Sequence, residues 1–69
     1  MLTNRELLNE RIKAKGLKKS FLAEQIGKKP RTLSKKLKGT QDFTESEMKV
    51  LTRVLQLTVE ERMAIFFAE

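Results

Sequence analysis

An all-α fold is expected from three features of this 69-residue chain. The pairs Thr3/Glu6, Thr44/Glu47 and Thr58/Glu61 have capping-box spacing, in which a threonine hydroxyl accepts from the amide three residues on and the carboxylate there reaches back. Apolar residues recur three and four apart in the stretches that follow. Together with the boxes, Gly16, Gly27, Gly39 and Pro30 mark out five helical segments.

The first helix is expected to start at Thr3, with Leu2 and Leu7 at the positions of a hydrophobic staple. Leu7, Leu8 and Ile12 give it a buried side, and Gly16 ends it. Leu17 then turns back onto the core. The second helix covers about 19–26. Leu22 and Ile26 are four apart, the small Ala23 shares their side, and Phe21 is expected to be partly buried. Its entry is poorly capped: Lys18 stands where Ser or Thr is preferred, and Ser20 falls two residues late.

Gly27 stops that helix, and Pro30 opens the third, because a proline's missing amide would be unsatisfied at the first helical position anyway. Leu33 and Leu37 give the third helix a narrow apolar stripe. Arg31, Thr32, Ser34, Lys35, Lys36 and Lys38 occupy its other faces. A helix this polar is expected to face something besides the core. Gly39 terminates it, and 39–43 form a loop.

The fourth helix is capped by Thr44, with Phe43 and Met48 as its staple and Met48, Leu51, Val54 and Leu55 as its buried side. Leu57 leads to Thr58, which opens a last helix carrying Val59, Met63, Ile65, Phe66 and Phe67. Met48 and Met63 read as core filler. Phe66 and Phe67 are adjacent, so a helix cannot bury both against one surface. One is expected to complete the core. The other belongs to a dimer contact or to a loosely packed terminus. Ile65, Phe66 and Phe67 are the candidates for a dimer interface.

Composition removes several classes of function. Without cysteine there is no disulfide or thiolate metal site, and without histidine the commonest metal ligand and general base are missing. No glycine-rich phosphate loop is present. No catalytic residue, metal site or cofactor is therefore expected, and the chain is not expected to be an enzyme. The length suits one domain over 1–69, with no room in it for a ligand-sensing or oligomerisation domain. No apolar run approaches the roughly 18 residues that span a bilayer. The opening MLTNRELL carries an acid and no long apolar core, so it is not expected to be a signal peptide, and a cytoplasmic protein is expected.

The formal charge is +6, and its placement is more informative than its size. Eleven Lys and Arg but one acid, Glu24, lie between Arg11 and Lys38; the remainder holds four basic and eight acidic residues. Basic character focused in this way suits a polyanion-binding face, although a solvated lysine-rich surface would give the same composition. Lys13 and Lys15 fit either a plain solvated charge or a remote phosphate contact.

The ordered features Gly16-Leu17, Leu22-Ala23-Glu24-Gln25-Ile26-Gly27, Thr32-Leu33-Ser34 and Gly39 resemble the helix-turn-helix of the lambda-repressor/Cro type, the XRE-like class of DNA-binding domains. The resemblance runs from Leu8 to Leu57. The ending, Leu57-Thr58 through Ile65-Phe66-Phe67-Ala68, is similar to small Cro-like regulators of phages and prophages of Gram-positive bacteria. It implies a compact lambda-repressor-like bundle of five helices, the second and third forming the DNA-reading unit.

A helix of this kind enters the major groove with its N-terminal residues nearest the base edges. On that geometry Arg31, Ser34 and Lys35 reach bases, Arg31 being able to donate two bonds to a guanine. Pro30 has no amide and offers apolar contact, as to a thymine methyl. Lys28 and Lys29 in the turn suit phosphates, as does Lys19, where many relatives carry a phosphate-binding glutamine. Thr32 and Lys38 are further phosphate candidates. Phosphate contacts position a protein, and base contacts specify its site.

Two departures from the family pattern stand out. Lys29 occupies the N-cap of the third helix where relatives often have Ser or Thr, although added positive charge is unfavourable at a helix N-terminus. Lys36 stands where many relatives place an apolar core residue, and Leu37 is expected to take over its packing. The expected function is that of a Cro-like repressor, binding a palindromic operator in double-stranded DNA as a homodimer, with no small-molecule effector and no membrane partner. A helix-turn-helix antitoxin is one alternative, and an antirepressor-type protein-interaction module another. An RNA binder lacks support, since Phe21 is the one aromatic in the basic region and such binders stack bases on aromatics.

Overall fold

The computed structural model describes residues 3–67. Five helices, with no strand among the described residues, form the bundle: α1 Arg5–Lys15, α2 Lys19–Ile26, α3 Pro30–Lys38, α4 Glu45–Val54 and α5 Val59–Phe66. α2 is the central post, with α3 and α4 both packed against it, while α1 packs against α3 and α5. The core takes Leu8 and Ile12 from α1, Leu22 and Ala23 from α2, Leu33 and Leu37 from α3, Leu51 from α4, and Ile65 and Phe66 from α5. Phe43 and Leu55, flanking α4, complete it. The Phe43 and Phe66 rings meet edge to face at 6.1 Å and 74°, the geometry that aromatic quadrupoles favour.

The helix boundaries follow local chemistry. Thr44 and Thr58 each accept from the amide of the glutamate three residues on, at 3.2 and 3.1 Å, and receive that carboxylate on their own amide, at 2.8 and 3.0 Å. The cap of α1 differs from the expected one. Asn4, not Thr3, takes the N-cap position, its side-chain oxygen accepting from the Leu7 amide at 3.1 Å. Asparagine caps at least as well as threonine. There is no reciprocal box, because the residue three on is now Leu7, which has no carboxylate; the Asn4 amide donates to the Ile65 carbonyl of α5 instead. The expected staple residue Leu2 lies outside the described residues.

Between α2 and α3 the chain turns in three residues. Gly27, at φ 72°, supplies the left-handed step, and its amide and that of Lys28 close on the Glu24 and Ala23 carbonyls. Ala23, buried at the meeting of the two helices, lets them approach. At the far end of α3, Gly39 has φ 96°, and a Cβ there would lie 2.8 Å from Arg5 Nε. Arg5 occupies that space and donates to the Lys36 carbonyl at 3.4 Å.

Two side chains depart from the sequence expectation, and one backbone angle was not foreseen. Phe21, expected to be partly buried, is 42% exposed. Met63 is 52% exposed and is no core filler, because α5 turns Ile65 and Phe66 inward and leaves Val59 and Met63, four apart, on the outside. Gln56 ends the α4 turn with φ 55°, a left-handed conformation with no glycine to carry it. Its side-chain oxygen accepts from Lys15 Nζ at 3.1 Å.

A left-handed non-glycine residue costs about 1–2 kcal/mol. Gln56→Gly should therefore stabilise the fold by about 0.5–1 kcal/mol, once the greater freedom of glycine in the unfolded chain is deducted. Urea unfolding at constant m-value checks this, and no gain in midpoint would mean that the Lys15 contact compensates the strain.

Candidate nucleic-acid interface

The two helices joined by the Gly27 turn differ from the other three at their N-termini. α1, α4 and α5 have side-chain caps from Asn4, Thr44 and Thr58. α2 and α3 have none, and the N-cap residue of each is a lysine, Lys18 or Lys29. Their first amides carry no side-chain acceptor, and the partial positive charge of each helix end is reinforced. Anions are the complement of such ends.

Around them lie the basic residues singled out from the sequence. Lys19, Lys28, Lys29, Pro30, Arg31, Lys35 and Lys38 are exposed, and Thr32 and Ser34 are half-buried. Arg31, Lys35 and Lys38, at helical spacing, share the side of α3 turned away from its buried residues Leu33, Lys36 and Leu37. No ion pair among the described residues engages Lys18, Lys19, Lys28, Lys29, Arg31, Lys35 or Lys38. Among the described residues no acid pairs with any of these cations.

Other members of the basic stretch are turned to internal use. Arg11 Nε lies 3.1 Å from Glu61 Oε2 and ties α1 to α5. Lys15 reaches Gln56 beyond α4. Lys36 was expected on an outer face of α3, but it is 5% exposed. Its Nζ donates to Glu47 Oε1 on α4, and Leu37 is buried beside it, so both residues pack inward. The same Glu47 oxygen accepts from the Thr44 amide, so the capping box of α4 and the anchor of Lys36 are one carboxylate. Burial pushes the Glu47 carboxyl up, but the bonds from Lys36 and the Thr44 amide, with the Lys36 charge, outweigh it and hold the group below its ordinary value. A lysine at a core position requires a buried acid. That rule was the available signal, and it could not say which of eight distant acids answers.

The dimer candidates separate clearly. Ile65 and Phe66 are 0% and 1% exposed, so they offer no surface to a partner. Phe67 is half-buried with the Arg62 guanidinium 5.8 Å from its ring centroid. The accessible apolar side chains of α5 are Val59 and Met63, and Phe67 continues their line at the next helical step. A surface hollow bounded by Asn4, Glu6, Leu7 and Glu10 carries two acids and is unsuited to a polyanion. Among the described residues no helix is long and apolar enough to cross a membrane.

The short helix pair, its glycine turn and its cationic outer side define a helix-turn-helix unit. Residues 8–62 match the family model described as helix-turn-helix, and the chain belongs to that family, of XRE/lambda-repressor type. The family is one of DNA-binding regulators. No curated protein and no solved structure matches the chain.

The lowered Glu47 carboxyl has a stability consequence with a definite sign. Its contribution is full above the ordinary value of 4.5 and is lost as pH falls through the lower folded value. Glu47→Gln should be less stable than wild type by about 3 kcal/mol at pH 7, since Lys36 keeps a hydrogen-bond partner but loses its counter-charge. The difference should narrow as pH falls through the lowered folded value, where protonation costs wild type the same counter-charge. Urea unfolding of both proteins across that range checks it, and a gap that does not change with pH would contradict the assignment.

Proposed function

We propose that this protein is a sequence-specific transcriptional repressor of the Cro type, binding a palindromic operator as a homodimer with α3 in the major groove. The observation that carries this reading is the missing side-chain caps. The two helices of the DNA-reading unit alone begin with a lysine at the N-cap and free amides, among cations without internal partners. Such ends are unfavourable in the free protein and are relieved by phosphate.

In this reading Lys19, Lys28, Lys29, Thr32 and Lys38 contact phosphates, and Pro30, Arg31, Ser34 and Lys35 meet base edges. Lys13, exposed and in no ion pair among the described residues, is a further candidate for the DNA backbone. The line of exposed Val59 and Met63 on α5 and half-buried Phe67 just beyond it supports a two-fold contact between copies, and the half-sites are then centred about 34 Å apart. The likeness of 57–68 to phage and prophage regulators supports the Cro-type assignment and a cytoplasmic setting.

A second reading rests on the same α5 line. An antitoxin or antirepressor would use it for a different protein, with α5 covered by that partner. Selection of bound duplexes from a random pool tests the first reading: a palindromic consensus is expected. Monomeric binding with no consensus would favour the second.

Two substitutions separate the contact classes. Arg31→Ala should cost about 1–3 kcal/mol at one base position and relax discrimination there. A uniform loss over all sequences would remove Arg31 from the base readers. Lys29→Ala should weaken binding to every duplex and reduce the log–log salt slope by about one unit. An unchanged slope would take Lys29 off the phosphate contacts.

A further inference from the structure

The Lys36–Glu47 pair invites a role beyond stability. Burying an ammonium and a carboxylate together is no more stabilising than filling the same space with apolar side chains, and often less so. This pair is also incompletely satisfied: Glu47 Oε2 is buried without a hydrogen-bond partner. Methionine would give the stem packing of Lys36 without any charge to bury.

We propose that the Lys36–Glu47 ion pair is a positioning device, which fixes the rotation of α3 about its own axis and so the direction in which Arg31 and Lys35 leave the protein. The inference rests on the operator reading above. Leu33 and Leu37 lie almost one above the other on α3, and two apolar contacts along one line leave a cylinder free to roll about that line. Lys36 lies off that line and is held at two points. Its carbonyl accepts from Arg5 Nε of α1 at 3.4 Å, and its ammonium is bonded to Glu47 of α4.

The anchor on α4 is itself fixed, because the same carboxylate oxygen takes the Thr44 amide at 2.8 Å. The Phe43 ring stands 6.0 Å from the Lys36 nitrogen and walls its far side. A roll of about 15° moves an arginine tip about 10 Å from the helix axis by some 2–3 Å, more than a bidentate hydrogen bond tolerates. Lys36 touches no DNA in this scheme, and it acts through Arg31 and Lys35.

The test compares wild type with the double variant Lys36→Met/Glu47→Gln. This change leaves the net charge at +6 and retains an acceptor at 47 for the Thr44 amide. The wild-type consensus from the random pool is measured first, and its absence would fail the operator reading and this inference with it. Given a consensus, the variant should unfold in urea at or above the wild-type midpoint. It should bind scrambled duplex within about twofold of wild type and with the same salt slope, because no phosphate contact is lost. Its preference for the consensus over scrambled duplex should fall by about tenfold or more. Full retention of that preference would overturn the inference and leave the operator reading intact. A variant that unfolds well below wild type would also overturn it, by marking the pair as an ordinary stabiliser.

Discussion

α3 has to be gripped from one side only, and the rest of the bundle is arranged to meet that constraint. A helix that offers its outer surface to another molecule can bury few side chains of its own. Here three do the work, Leu33, Lys36 and Leu37: α3 packs chiefly on α2, while Lys36 is bonded to Glu47 of α4. The tight Gly27 turn and the small Ala23 bring α2 close enough to serve. α1 and α4 then reach α3 with polar side chains, Arg5 and Glu47.

Charge follows the same division. The cations of the central stretch fall into two groups by what surrounds them. Arg11, Lys15 and Lys36 are engaged within the fold, by Glu61, Gln56 and Glu47. Those beside the two uncapped helix ends have no ion-pair partner among the described residues. An unopposed field at helix N-termini destabilises an isolated protein slightly and attracts a polyanion over about a Debye length. Net charge alone would not distinguish this from a uniformly coated surface.

Much of this was legible in the sequence because it depends on local chemistry. The bounds of α2 and α3, the boxes at Thr44 and Thr58 and the poor caps at Lys18 and Lys29 are written in neighbouring residues, and the structure bears them out. What was not legible depends on distant partners. Asn4 displaced Thr3 as a cap in a setting where its amide meets Ile65, sixty-one residues on. Lys36 went inward because Glu47 waits there. Met63 and Val59 faced outward because Ile65 and Phe66 won the inner side of a helix too short to bury both pairs. Gln56 carries a left-handed step that no turn-forming residue announces. For the interface, position alone located the exposed residues of α3, and the dimer candidates on α5 had to be redrawn once burial was known.

Gly39 closes α3 with a backbone angle that other residues resist, and its bare Cα is also the floor on which the Arg5 guanidinium lies. Stopping the helix and roping it to the start of the chain are thus one decision made at one residue. A side chain at 39 is strained at that backbone angle and also pushes the Arg5 guanidinium aside, the second effect being the smaller because the far end of Arg5 can shift. The left-handed angle is what reserves position 39 for glycine, while Arg5 can change without touching the turn.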